Sequence, residues 1–229
     1  MTNEAIILAG GKGSRLANVV DVPKPMAMIN DVPFLQILMD DLLVKGITVF
    51  HLAVGYRYQV ITNYFGNSYM GCKVNYIIEN EPLGTGGAIK KALKNVQSET
   101  VFIINGDTFF DVDLEYMDEQ HEINNSDATM TLKPMEKFDR YGRVELNDKD
   151  RVIAFHEKKF CKEGLINGGF YLMNKKVFDG LDLPEQFSLE HDFFEKYITS
   201  KNIYGFIEEG YFIDIGIPED YERAQIELG

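Results

Sequence analysis

The chain opens on a short unbroken apolar run, Ala5–Ala9, and runs of the same kind recur at Thr48–Val54, Lys73–Ile78 and Val101–Asn105. Apolar runs this short, bounded by polar or turn residues, read as buried strands. Between them the apolar positions take helical spacing: Phe34–Lys45, stopped by Gly46, then Tyr58–Phe65, Gly86–Asn95 and Leu114–Ile123. Strand and helix alternating in this way predict an α/β fold. The expected core is a Rossmann-like, doubly wound, mixed but mostly parallel sheet, with ligands at the carboxyl ends of its strands.

Beyond Asp127 the rhythm changes. Ala128–Lys133, Arg143–Leu146, Val152–Glu157 and Gly169–Met173 read as strands with little helix between them. They predict a small antiparallel or mixed lobe over the open end of the sheet. Helix is expected again at Lys175–Leu181 and Leu189–Ser200, where Phe193, Phe194 and Tyr197 form a core stripe by their spacing. A last strand at Tyr211–Ile215 precedes a helix opened by Pro218, a residue suited to the first helical position. No repeat or long linker interrupts the chain, so residues 1–229 read as a single domain with halves of about 1–127 and 128–229.

Composition narrows the function. Hydrophobic residues make up 45% of the 229, enough for an ordinary core. No run is long enough to span a bilayer, and Glu4 breaks the N-terminus before an apolar run of signal-peptide length. Cys72 and Cys161 have neither metal-ligand spacing nor the numbers for a disulfide framework. Two thiols of this kind suit a reducing, cytoplasmic setting. The net charge of −13 argues against nucleic acid as a partner. It also makes any local concentration of cations conspicuous.

One such concentration follows the first strand. Leu8-Ala9-Gly10-Gly11-Lys12-Gly13-Ser14-Arg15-Leu16 puts three glycines and two cations in a single loop, and Pro23-Lys24-Pro25 holds a third cation between prolines. Glycines let backbone N–H groups face an anion without a Cβ in the way. The loop is not a P-loop, because Lys12 is followed by glycine, and it is not a dinucleotide loop, because Leu16 stands where the last glycine belongs. It reads as a polyphosphate site of another kind. Two aspartates stand beside glycines at strand ends, in Asn105-Gly106-Asp107 and in Asp214-Ile215-Gly216. Either alone reads equally well as a turn residue. Together with the loop they suggest Mg²⁺ held by carboxylates and substrate phosphates.

These motifs resemble those of the sugar-1-phosphate nucleotidyltransferases, in order and along nearly the whole chain. Gly10 to Leu16 with Pro23-Lys24-Pro25 is similar to that family's triphosphate signature. Asn105-Gly106-Asp107 and Asp214-Ile215-Gly216-Ile217-Pro218-Glu219-Asp220-Tyr221 are similar to its two metal-aspartate motifs. Glu81-Pro82-Leu83-Gly84-Thr85-Gly86-Gly87-Ala88 resembles the segment facing the nucleobase. Tyr141-Gly142, Glu157-Lys158 and Asn167-Gly168-Gly169 resemble its sugar-binding elements. Ser14 stands where threonine is usual, Lys159 where proline is common and Ile217 in place of threonine, and none of these removes a charge the chemistry needs.

The resemblance implies a GT-A-like nucleotidyltransferase fold and transfer of a nucleoside monophosphate onto a sugar 1-phosphate, with release of pyrophosphate. It implies catalytic roles for Arg15, Lys24 and Asp107, with Mg²⁺ on Asp107 and Asp214. The nucleotide would meet Leu8, Ala9, Gly10, Gly11, Gly13, Ser14, Glu81, Gly84 and Thr85. The sugar phosphate would meet Gly142, Glu157, Lys158, Asn167 and Gly168. The length corresponds to the short form of the family, without a left-handed β-helix, and a homodimer is compatible with it. Asp21–Ile29 and Leu83–Gly87 are most like the D-glycero-α-D-manno-heptose 1-phosphate guanylyltransferases, which implies GTP as donor and a role in making surface-polysaccharide precursors. Mannose-1-phosphate guanylyltransferases and short uridylyltransferases have similar loops. A non-catalytic nucleotide-sugar-binding regulator would be expected to lack Arg15, Lys24 or a metal aspartate. A glycosyltransferase would use a D-x-D motif, but Asp111-Val112-Asp113 reads as the cap of the next helix. His156 and His191 read as packing or surface residues, with no nucleophile beside them.

Overall fold

The computed structural model describes residues 1–11, 13, 21–156 and 158–228. In chain order its elements are β1 (Glu4–Ala9), β2 (Met28–Ile29), β3 (Val32–Pro33), α1 (Phe34–Val44), β4 (Val49–Val54), α2 (Tyr58–Phe65), β5 (Ser68–Tyr69), β6 (Cys72–Ile78), α3 (Gly84–Ala92) and β7 (Thr100–Asn105). There follow β8 (Thr108–Phe110), α4 (Leu114–Ile123), β9 (Ala128–Phe138), β10 (Arg143–Leu146), β11 (Val152–His156), β12 (Cys161–Asn174), α5 (Glu195–Tyr197), β13 (Ile203–Ile207), β14 (Phe212–Asp214) and α6 (Pro218–Glu227).

The expected α/β sheet is present. β1 lies between β4 and β7, parallel to both, and β4 is parallel to β6. Side chains alternate across a strand, so β1 feeds two cores. Ala5 and Ile7 face Leu35, Leu38, Ile61 and Phe65 from α1 and α2. Ile6 faces Ile89 and Ala92 from α3 on the other side. Helices therefore cover both faces of a sheet whose central strand is apolar from Ala5 to Ala9, the usual condition of parallel strands.

The second half differs from the expected lobe. β12 runs antiparallel to β7, pairing Phe170 with Ile104 and Leu172 with Phe102, and β9 pairs with β12 in turn. The later strands thus extend one ten-stranded sheet instead of building a separate one over it. β9 and β12 are also longer than the apolar runs that announced them, because their outer residues alternate polar and apolar. Two expected helices change form. Lys175–Leu181 is a series of tight turns, with Asp179 N bonded to Lys176 O and Leu181 N to Phe178 O, and Gly180 at φ +74°. Leu189–Ser200 opens with a π-helical turn over Leu189–Phe194 before α5. That turn buries Leu189, Phe193 and Phe194 completely. The Asp111–Asp113 segment does cap a helix: the Asp113 carboxylate accepts from Tyr116 N at 3.0 Å.

Candidate active site

The carboxyl ends of β1, β4, β6 and β7 open on a cleft of about 740 Å³. Its floor is the chain leaving β1, where Leu8, Gly10, Gly11 and Gly13 line it. Gly10 and Gly55 cross so closely that a Cβ on Gly55 would lie 2.9 Å from the Gly10 carbonyl oxygen. A side chain on Gly55 would push the β1 and β4 ends apart, and one on Gly10 would meet Glu79 Oε1 at 2.7 Å. Gly13, at φ +60°, backs directly onto the stem of Lys24.

The two aspartates meet at one wall of this cleft through pairing that is distant in sequence. β8 and β14 form an antiparallel ribbon that sets Asp214 opposite Thr108, next to Asp107. Ile215 N donates to the Asp107 carbonyl at 3.0 Å, and Gly106 N donates to Leu8 O at 3.0 Å. The Lys24 ammonium donates to Asp107 Oδ2 at 2.6 Å and faces Asp214 Oδ1 at 3.5 Å. Burial raises the Asp214 carboxyl above the usual carboxylate range, and the negative charge of Asp107 adds to that rise. Lys24 and the Gly216 N–H oppose it without cancelling it. One ammonium between two carboxylates thus leaves a net demand for positive charge.

That demand is the fit test for a metal. Two hard anionic oxygen donors converging at a partly buried point suit Mg²⁺, which takes one or two carboxylates and completes its shell with water and phosphate oxygens. Among the described residues no group of three or more His, Cys, Asp or Glu side chains is arranged to hold a metal ion.

A second, smaller cleft of about 140 Å³ adjoins the first. Lys158, Arg140, Tyr141, Asn167 and Gly168 line it, and it shares Asn105, Asp214 and Gly216 with the larger cleft. The two clefts therefore meet at Asp214. Arg140 is tied to Asp220 Oδ2 at 2.5 Å, so α6 steadies this wall. The Tyr141 phenol is pushed up to about 12 by burial and by the charge of Asp214.

The expected site residues distribute unevenly over these clefts. Leu8, Gly10, Gly11, Gly13, Lys24, Gly84, Thr85, Asp107 and Asp214 line the larger one, and Lys158, Asn167 and Gly168 the smaller. Ala9 does not line either; strand alternation turns it into the core, where it is 1% exposed. Glu81 is exposed outside the lining, whereas Glu79 lies within it and accepts from Leu83 N at 3.1 Å. Gly142 also stands outside the lining, packed on the His156 carbonyl so that a Cβ would lie 2.8 Å away, and its neighbour Tyr141 takes the place at the wall. Ser14, Arg15 and Glu157 lie outside the described residues. The residues missed from sequence are Glu79, Asn80, Tyr56 and Arg140. Glu79 is the first of three polar residues after β6, and only the turn to Leu83 selects it.

Residues 4–228 match the family model described as nucleotidyl transferase. The chain belongs to the nucleotidyl transferase family. It is 54% identical over 226 residues to a D-glycero-α-D-manno-heptose 1-phosphate guanylyltransferase of Aneurinibacillus thermoaerophilus, covering 98% of each chain. It is 50% identical over 219 residues to the enzyme of the same name from Campylobacter jejuni, covering 95% of this chain and 96% of that one. Among solved structures, HddC from Yersinia pseudotuberculosis complexed with GMP-PN superposes with a TM-score of 0.89 at 36% identity over the full length of both. Membership of that family accords with a glycine-rich stretch after β1, a carboxylate pair and two adjoining clefts in one chain.

Proposed function

We propose that the protein transfers GMP from GTP to D-glycero-α-D-manno-heptose 1-phosphate, yielding GDP-heptose and pyrophosphate. The observation that carries this reading is the near-complete coverage at 54% identity by a guanylyltransferase of that specificity. The geometry is consistent with it. A nucleotide in the larger cleft and a sugar phosphate in the smaller one would bring their phosphates together at the shared carboxylate wall.

The chemistry asks for positioning more than proton transfer. A phosphate monoester has a second pKa of about 6, so the sugar phosphate is already a nucleophile near neutral pH and needs no general base. The difficulty is bringing two anions into line in a protein whose net charge is −13. Lys158 and Arg140 supply positive charge on the sugar side, and Lys24 at the junction. The backbone of Gly10, Gly11 and Gly13 offers N–H groups along the triphosphate path. Mg²⁺ held by Asp107 and Asp214 would withdraw charge from the phosphorus under attack. Arg15, by family resemblance, would stabilise the departing pyrophosphate with its bidentate fork.

Glu79 supports the choice of guanine. Burial raises its carboxyl, and the Leu83 N–H and Lys91 only partly offset this. A partly desolvated acceptor pair is complementary to guanine, whose N1–H and 2-amino group are adjacent donors, whereas uracil and thymine offer a single N3–H between two carbonyls and satisfy only one of the two acceptors. The test compares GTP with ITP, which lacks the 2-amino group. The wild type should prefer GTP, and Glu79→Gln should lower kcat/KM for GTP by about 10- to 100-fold, the range for a lost charge-assisted bond, while narrowing the preference over ITP. UTP, CTP or dTTP outperforming GTP with the wild type would overturn the guanylyl reading.

A further inference from the structure

β12 carries an irregularity that the sugar cleft depends on. Asn167 pairs with Leu132 of β9 and Tyr171 with Met130, so four steps along β12 match two along β9. The surplus residues bulge at Gly168 and Gly169. Neither tolerates a side chain: a Cβ on Gly168 would lie 2.5 Å from the Phe110 ring, and Gly169 sits at φ +75°. In a regular strand, residues four apart are about 13 Å apart. The bulge instead brings the Asn167 amide within 2.8 Å of the Tyr171 hydroxyl.

The amide's orientation follows from two contacts. Gly169 N–H can only donate, and it lies 3.0 Å from Asn167 Oδ1, so the other amide atom, the one facing Tyr171, is nitrogen. Nδ2 therefore donates to the Tyr171 oxygen. One N–H and one lone pair of the amide remain for a ligand in the smaller cleft, which Asn167 lines.

Tyr171 is fixed far more firmly than the residue it holds. It is 1% exposed and paired in register with Ile103 of β7 as well as Met130 of β9. Its ring packs on Phe194 with centroids 5.5 Å apart, and Phe194 stacks on Phe155. Burial, with the nearby charge of Glu190, keeps the phenol in its neutral form. A hydroxyl in this apolar surrounding has one evident use among the described residues, the bond to Asn167.

We propose that Tyr171 is a positioning residue for the acceptor substrate, its buried hydroxyl locking the Asn167 amide in the orientation that binds the sugar phosphate. This rests on the reading of the smaller cleft as the sugar site and adds to it a residue that does not touch the substrate. Loss of the hydroxyl leaves the amide held by the Gly169 N–H alone and should weaken the acceptor complex alone.

The experiment is a double-mutant cycle on the full chain with heptose 1-phosphate and GTP. Tyr171→Phe should raise KM for the sugar phosphate about three- to tenfold, the scale of one hydrogen bond, and leave KM for GTP unchanged. Its thermal midpoint should stay close to that of the wild type, which verifies the fold. Asn167→Ala should raise the same KM at least as much, and Tyr171→Phe added to it should do nothing more. A sugar-phosphate KM unmoved by Tyr171→Phe but raised by Asn167→Ala overturns the positioning role and keeps the sugar cleft. Effects that multiply in the double variant also overturn it. A KM unmoved by Asn167→Ala overturns the sugar-cleft reading itself.

Discussion

Asp107, Asp214 and Lys24 form the densest charge cluster of the site, and their balance makes the metal proposal testable by stability as well as by rate. Asp214 is the strained member, because burial and its neighbour's charge both disfavour its ionised form. Asp214→Asn should therefore cut turnover by orders of magnitude without lowering the thermal midpoint, and Mg²⁺ should stabilise the wild type but not the variant. A ligand present at 100 times its dissociation constant is worth about 2.7 kcal/mol. Turnover close to wild type, or equal stabilisation of both proteins by Mg²⁺, removes Asp214 from the site. Residue identity was largely legible in the chain: an aspartate beside glycine at the end of an apolar run is visible without a structure. The inward member of Glu79-Asn80-Glu81 was not, because three consecutive polar residues carry no periodicity. The choice is made by the Leu83 N–H reaching back to Glu79.

The glycines of α3 serve the packing of the chain as well as the larger cleft, which Gly84 and Thr85 line. Leu83-Gly84-Thr85-Gly86-Gly87 looks like a loop shaped for a ligand, yet most of its glycines accommodate another part of the chain. Gly86 N and Gly87 N both donate to the Phe187 carbonyl, at 3.0 and 3.3 Å. A Cβ on Gly86 would lie 2.1 Å from the Phe187 ring, and one on Gly87 2.4 Å from the Glu185 carbonyl oxygen. Thr85 accepts from Leu189 N at 2.8 Å and donates to Glu190 at 3.1 Å. The segment before α5 thus caps α3, and the larger cleft is braced by the second half of the chain. Gly86→Ala should destabilise the protein by about 1–3 kcal/mol through overpacking, read as a lower denaturation midpoint. An unchanged midpoint would mean Phe187 yields freely and does not fix α3. Elements closed by local signals were the easiest to foresee, α2 and α4 among them. Lys175–Leu181 was not, since its turns are set by Lys175 N bonding Glu99 O and by Gly180.

Over the whole molecule, the end of the sheet opposite the clefts is held by a buried polar network. Glu4 and His51 are 4% and 1% exposed and lie 2.8 Å apart. Glu4 also accepts from Ser98 N and Ser98 Oγ, each at 2.7 Å, and from Gln97 N at 3.0 Å. Burial alone would raise its carboxyl, but the bonds from Ser98, His51 and Gln97 outweigh this and the net shift is downward from 4.5. A depressed folded-state value means stability that is present above the unfolded value and lost as pH falls through the folded one. The stability gap between wild type and Glu4→Gln should therefore be largest near neutral pH and shrink below pH 4.5. A gap independent of pH would mean that the carboxylate charge contributes nothing.

The sheet's continuity through β7 and β12 was hidden from the sequence for a related reason, since pairing between distant strands leaves no local trace. That continuity is what sets the two clefts side by side around Asp214, and hence what the proposed transfer depends on. The most direct test follows the phosphorus. GTP labelled at the α-phosphate, incubated with the protein, Mg²⁺ and D-glycero-α-D-manno-heptose 1-phosphate, should place its label in a GDP-sugar and none in the released pyrophosphate. Label retained in GTP or freed as GMP, with no labelled GDP-sugar formed, would contradict the transfer.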